Sequence, residues 1–120
     1  MDRRAETVEN ILREWEGIKA QIEPLFRERD HNNVKEWMEK GISIFKQFLC
    51  FTNEETPSQS EQIPYHQFHF KPVNIEERLS FIISRPNLYH SYRQLSELMV
   101  EQQKQFVKST IIKKSSRPHA

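Results

Sequence analysis

The chain has 120 residues, 36% of them hydrophobic and 11% aromatic, with a mean hydropathy of −0.81, one cysteine and a formal net charge of +1. That length fits a single domain able to bury a core without staples, and one cysteine excludes an internal disulfide framework and fits a reducing, cytoplasmic setting. No secretory leader or bilayer span is expected, because MDRRAETVEN has no apolar stretch behind it and the longest apolar run is Phe48–Leu49–Cys50–Phe51.

Charge is unevenly divided. Residues 1–63 carry nine Lys/Arg against thirteen Asp/Glu, a balance of −4, and residues 64–120 carry nine against four, a balance of +5. The last seventeen residues hold four lysines, one arginine and no acid. Such a half fits either an anionic partner or an ordinary solvated face. Glycine occurs only at Gly17 and Gly41. Walker loops and dinucleotide fingerprints need several glycines for close backbone approach, and two-residue hairpins favour Asn-Gly, so helices are expected.

The first element is a helix in which Val8, Leu12, Trp15, Ile18 and Ile22 recur at threes and fours. Thr7 is a candidate cap. Pro24 either kinks this helix or opens a short second one carrying Leu25 and Phe26. The pattern stops at Asp30-His31-Asn32-Asn33, where Asn32 or Asn33 can cap the next helix. From about Val34 to Phe51 a wide apolar face includes Val34, Trp37, Met38, Gly41, Phe45, Phe48 and Leu49. So wide a face predicts a central helix contacted by at least two others. Gly41 costs about 1 kcal/mol of helix propensity against Ala, which points to a close crossing there. Cys50, beside this face, reads as a buried thiol.

Residues 53–62, NEETPSQSEQ, read as an exposed loop. Tyr65, Phe68 and Phe70 lie between Pro64 and Pro72, which predicts an extended strip packed on the bundle. Asn74 to Glu77 has capping-box form, followed by a stripe of Ile75, Leu79, Ile82 and Ile83. Arg85 precedes Pro86 and should end that helix. Ser91 to Gln94 is a second capping box, opening a helix with Leu95, Leu98, Met99 and Phe106 on its apolar face. The expected architecture is all-α: a compact bundle of four or five helices over residues 1–110, an extended aromatic loop between the third and fourth, and a basic flexible tail over 111–120.

The run FKPVNIEERLSFIISRPNLYHSYRQLSELM, and the phrases NIEERLSFI and YHSYRQLSEL within it, resemble the core of the YpoC-like family, small uncharacterised proteins of Bacillus and its relatives. The resemblance covers roughly the last half of the chain. It implies a bacterial cytoplasmic setting and carries over no activity, cofactor or catalytic residue.

Candidate chemistry is sparse. His66 and His69 form an HxxH pair, but in an extended strip residues three apart point to opposite sides, so neither metal nor cofactor is expected. Glu54-Glu55 lies in a polar loop. Glu76-Glu77 is explained by the helix dipole and lacks an apolar pocket that would raise one carboxyl for acid–base work. Ser80, Ser84, Ser91 and Ser96 lack a nucleophile elbow. The protein is therefore not expected to be an enzyme.

Arg78, Arg85, Tyr89, His90, Tyr92 and Arg93 form the best binding candidate, since Tyr and Arg combine large stiff surface with a polar end. The same residues could instead seal a corner between helices. Two functions fit. One is a non-enzymatic adaptor with an unknown protein partner and no membrane contact. The other is a nucleic-acid-binding accessory protein using the basic half. Against the second, the break before Ser91 spans about six residues, longer than the usual helix-turn-helix link, and Glu97 and Glu101 would repel phosphate. Placing residues 34–51 at the centre predicts that Phe45→Ala costs about 3–5 kcal/mol, measurable as a lowered urea midpoint.

Overall fold

The computed structural model describes residues 3–55 and 63–115, with side chains through residue 112. It contains four α-helices, α1 (Arg3–Arg27), α2 (His31–Thr52), α3 (Ile75–Ser84) and α4 (Tyr89–Ser115), and one 3-10 turn at Tyr65–Gln67. No strand occurs among the described residues. The fold is all-α.

Pro24 does not start a separate helix: α1 continues through it to Arg27. The proline sits in the last full turn, where one missing N–H costs a single bond, and Leu25 and Phe26 still pack on the core. Inward residues of α1 are Val8, Ile11, Trp15, Ile18 and Ile22. Leu12 is only half-buried and Ile11 takes the deeper place.

Both long N-terminal helices stop in Schellman geometry without glycine. After α1, Asp30 N–H donates to Leu25 O (2.9 Å) and Arg29 N–H to Phe26 O (3.1 Å), with Arg29 at φ 57°. After α2, Glu55 N–H donates to Cys50 O (2.9 Å) and Glu54 N–H to Phe51 O (3.1 Å), with Glu54 at φ 59°. A left-handed non-glycine residue costs on the order of 1 kcal/mol, offset here by the carbonyls it satisfies.

The cap of α2 is Asp30, neither Asn32 nor Asn33: its carboxylate accepts from Asn33 N–H (3.3 Å) and from the Asn33 side-chain amide (2.7 Å). The helix therefore begins earlier than its apolar stripe. α2 packs against both α1 and α4. Val34, Met38, Phe45, Phe48 and Leu49 are fully buried.

Gly41 lies where three helices meet. A Cβ built there would approach Trp15 Cζ3 to 2.8 Å and Leu95 Cδ2 to 3.0 Å. The close crossing expected from the sequence is present, with α1 on one side and α4 on the other.

Neither capping box forms. Asn74 adopts φ 56° and its side chain makes no cap bond. Ser91 lies inside α4, buried, and its Oγ donates to Arg85 O. The helix starts at Tyr89, two residues earlier, so the α3–α4 link is only residues 85–88. α4 continues to Ser115, into the stretch expected as a tail; residues 116–120 lie outside the described residues.

Residues 63–74 cross the bundle with one 3-10 turn, so the strip is not extended throughout. Phe68 and Pro72 are buried. Asn53 anchors it: its amide nitrogen donates to Leu49 O (2.8 Å) and Phe70 O (2.9 Å), and its oxygen accepts from His69 N–H (3.0 Å) and Phe70 N–H (2.9 Å). Gln102 Nε2 donates to the same Phe70 O (3.1 Å). The rest of the expected loop, residues 56–62, lies outside the described residues.

Gly41→Ala adds up to about 1 kcal/mol of helix propensity, but the added methyl meets the buried Trp15 ring, and overpacking costs typically about 1–3 kcal/mol. A net loss of about 1 kcal/mol, read as a lower urea midpoint with unchanged m, is the expected outcome.

Candidate interaction surface

The α3–α4 corner divides the six candidate residues into two groups. Arg78 and Tyr92 turn inward. Arg78 Nη1 donates to Glu101 Oε1 (2.9 Å), Nη2 donates to Glu101 Oε2, Nε to Gln94 Oε1 (3.3 Å), and Nη1 also to Val73 O (3.1 Å). Glu97 Oε2 lies 4.0 Å from the same guanidinium. The Glu101 bonds raise the Arg78 pKa further, against the opposing effect of burial. This fork ties α3 to α4 along their length.

Tyr92 is buried between α1 and α4. Its ring centroid lies 5.8 Å from Phe26 and 6.4 Å from Trp15, and its hydroxyl donates to Glu23 Oε1 (2.9 Å). Burial first, and the bond to Glu23 second, hold the phenol protonated well above its usual range.

Arg85, Tyr89, His90 and Arg93 face outward. Tyr89 is 56% exposed although its ring meets Phe26 edge-on at 5.3 Å. His90 is edge-on to Phe81 at 5.6 Å, and the Arg85 guanidinium lies 5.9 Å from the Phe81 centroid. The Arg93 side chain is exposed and has no hydrogen bond or ion pair among the described residues. A cleft of about 220 Å³ opens beside them, lined by Glu77, Arg78, Phe81, His90 and Gln94.

Residues not singled out from the sequence complete this surface together with Tyr89 and with Ile83, which is 46% exposed and so leaves the buried stripe of α3 to Ile75, Leu79 and Ile82. Among the described residues, the exposed large hydrophobics are Val73, Ile83, Leu88, Tyr89, Val100, Val107, Ile111 and Ile112. All lie within residues 73–112, and α1 and α2 contribute none. A signal was present: Val100 and Val107 fall seven apart, off the stripe of Leu95, Leu98, Met99 and Phe106, on the opposite side of the same helix.

The remaining candidates are placed elsewhere. His66 and His69 are exposed; His66 Nε2 lies 3.8 Å from Glu76 Oε2, and His69 is edge-on to Phe70. They border a cleft of about 380 Å³ with Lys71, Glu76 and Glu77. Among the described residues no three His, Cys, Asp or Glu side chains converge to hold a metal. A third cleft, about 450 Å³, lies between α1 and α2, lined by Ile11, Phe51, Glu14, Gln47 and Glu55 among others. Cys50 is buried, and burial together with Glu55 raises its thiol pKa. No described helix is long and apolar enough to cross a membrane.

Comparison with known proteins gives a family model described as "YpoC-like protein", which matches residues 5–114. The chain is 35% identical over 97 residues to "Uncharacterized protein YpoC" of Bacillus subtilis (strain 168), an alignment covering 78% of this chain and 58% of that relative. The chain thus spans somewhat over half the length of the relative. No solved structure matches.

The inward and outward groups should separate on substitution. Arg78→Ala is expected to cost about 1–2 kcal/mol, because it removes a forked, partly shielded ion pair. Arg93→Ala should stay within about 0.5 kcal/mol, as surface changes usually do. Urea melts of the two variants check this.

Proposed function

This chain belongs to the YpoC-like family, and we propose that it works as a non-enzymatic protein–protein interaction module in the bacterial cytoplasm, contacting its partner through the α3–α4 side. One observation carries this reading: every exposed large apolar residue among those described lies in residues 73–112. Scattered apolar residues on a surface need no explanation, but their confinement to one half does. At the corner, Leu88 and Tyr89 stand beside Arg85 and Arg93, a combination typical of binding anchors. Glu76 and Glu77 are exposed to water, which supports a role without acid–base chemistry.

Nucleic-acid binding is the competing reading, and the four-residue link at 85–88 favours it more than the longer break expected from sequence. Phosphates, however, would engage Arg85 and Arg93 and leave Ile83, Leu88 and Val100 in water.

Affinity capture from the source cell with the intact chain, followed by mass spectrometry, tests the reading. A stoichiometric protein partner is expected, lost with Tyr89→Ala/Arg93→Ala while far-ultraviolet circular dichroism is unchanged. Raising salt should weaken capture mildly, as for a charged rim. Recovery of nucleic acid with a steep salt dependence would favour the competing reading instead.

A further inference from the structure

Residues 63–74 are tied to the bundle by side chains alone. Among the described residues, their backbone bonds are local: Tyr65 N–H donates to Ile63 O, Gln67 N–H to Pro64 O and Phe68 N–H to Tyr65 O. No backbone bond joins the strip to α1, α2 or α4. Asn53 and Gln102 hold it at one place, the backbone of His69 and Phe70. The other outside tie, Arg78 Nη1 to Val73 O, lies at the α3 end. There Val73 and Asn74 are exposed, and Asn74 stands at φ 56°. Among the buried hydrophobic residues only Phe68 comes from the strip; the others belong to the four helices. Segments with few backbone bonds and little buried apolar surface open at lower free energy than the helices around them.

The latch itself is incomplete. Gln102 is fully buried, and while its Nε2 donates to Phe70 O, its Oε1 has no hydrogen-bond partner among the described residues. A bare buried acceptor raises the free energy of the closed arrangement. Opening the strip admits water to that oxygen and removes the penalty.

Cys50 shows what lies beneath. Ser43 and Gln47 fall on the same side of α2 as Cys50, and both are exposed, so this side faces away from α1 and α4. Cys50 is nevertheless only 6% exposed. Its cover therefore comes from outside the helix packing. Tyr65 of the strip is half-buried and lies close by: burial, then Glu76, then Cys50 raise its phenol pKa.

We propose that residues 63–74 are a strap that detaches from the bundle as a unit, with the four helices still packed, and so controls access to Cys50 and to the apolar surface that Phe68 covers. Asn53 and Gln102 are its latch, and the Val73–Asn74 turn is its hinge. The device is independent of the α3–α4 interaction reading.

The test uses the intact chain and two probes of the same opening. Alkylation of Cys50 by N-ethylmaleimide is followed by mass spectrometry, and amide hydrogen exchange is followed by nuclear magnetic resonance. Cys50 labelling and exchange of the His69 and Phe70 amides are expected to report one common opening free energy. It should lie below that of the core amides of Phe45 and Leu98 and depend only weakly on urea, because little surface is exposed. Two variants then locate the opening. Asn53→Ala removes the latch, and Phe68→Ala removes the buried anchor without touching the end of α2. Each should speed Cys50 labelling by at least about tenfold, with labelling still faster than global unfolding. Labelling of Cys50 only at the rate of global unfolding overturns the proposal, as does exchange of the His69 and Phe70 amides together with the core. Acceleration by Asn53→Ala but not by Phe68→Ala overturns it too, since fraying of the α2 end would then be what exposes the thiol.

Discussion

The Trp15 indole lies against the backbone of Gly41, and the arrangement of three helices depends on that approach. With no side chain at Gly41, α1 comes in from one side and Leu95 of α4 from the other; a methyl there would sit 2.8 Å from Trp15 and 3.0 Å from Leu95. Close packing then seals the region on both sides. Trp15 is 3% exposed and Leu95 is fully buried. Interiors packed to crystal density have no slack to absorb even one carbon, so a single small residue sets how near the helices lie. Helix propensity is lost at Gly41, and burial of the large neighbours offsets it.

The Arg78 fork joins α3 to this frame. α3 is short and is held mainly by α4, with Ile75, Leu79 and Ile82 buried and the guanidinium spanning to Glu101. Arg78 binds Glu101, while Glu97, 4.0 Å from the guanidinium, stays exposed on the side of α4 that carries Arg93 and Lys104. Two helix ends close without glycine, at Arg29 and Glu54, because carbonyl satisfaction outweighs the left-handed strain there. Asn53 shows the same economy. It comes directly after the last residue of α2, bonds back to Leu49, and pairs with the backbone of Phe70 through the remaining side-chain groups.

Much of this fold was legible in the residues. Two glycines and the 3.6-residue stripes implied helices, and the width of the apolar face over 34–51 implied a central one. Gly41 on that face implied a close crossing. The YpoC-like resemblance was carried by NIEERLSFI and YHSYRQLSEL, and the family match extends it over residues 5–114. Helix starts were less legible. Asn74 and Ser91 have the residue types of capping boxes, yet Asn74 turns left-handed and Ser91 bonds to Arg85 O from within α4. A cap depends on backbone angles that the neighbouring packing selects, and residue type only permits them.

The sequence by itself determined the class of the fold, the central place of α2 and the division of charge between the two halves, because these come from composition and from spacing along one chain. It also identified Arg78, Arg85, Tyr89, His90, Tyr92 and Arg93 as a group. Only the tertiary structure decided which of them face inward. Arg78 meets Glu101 and Tyr92 meets Glu23, partners 23 and 69 residues away, whereas Tyr89 and Arg93 are left at the surface. Contacts at such separations are set by where helices cross, and local periodicity carries no information about them. The exposed row of Val100 and Val107 has the same origin: a helix shows two apolar faces in its sequence, and packing alone determines which one is covered.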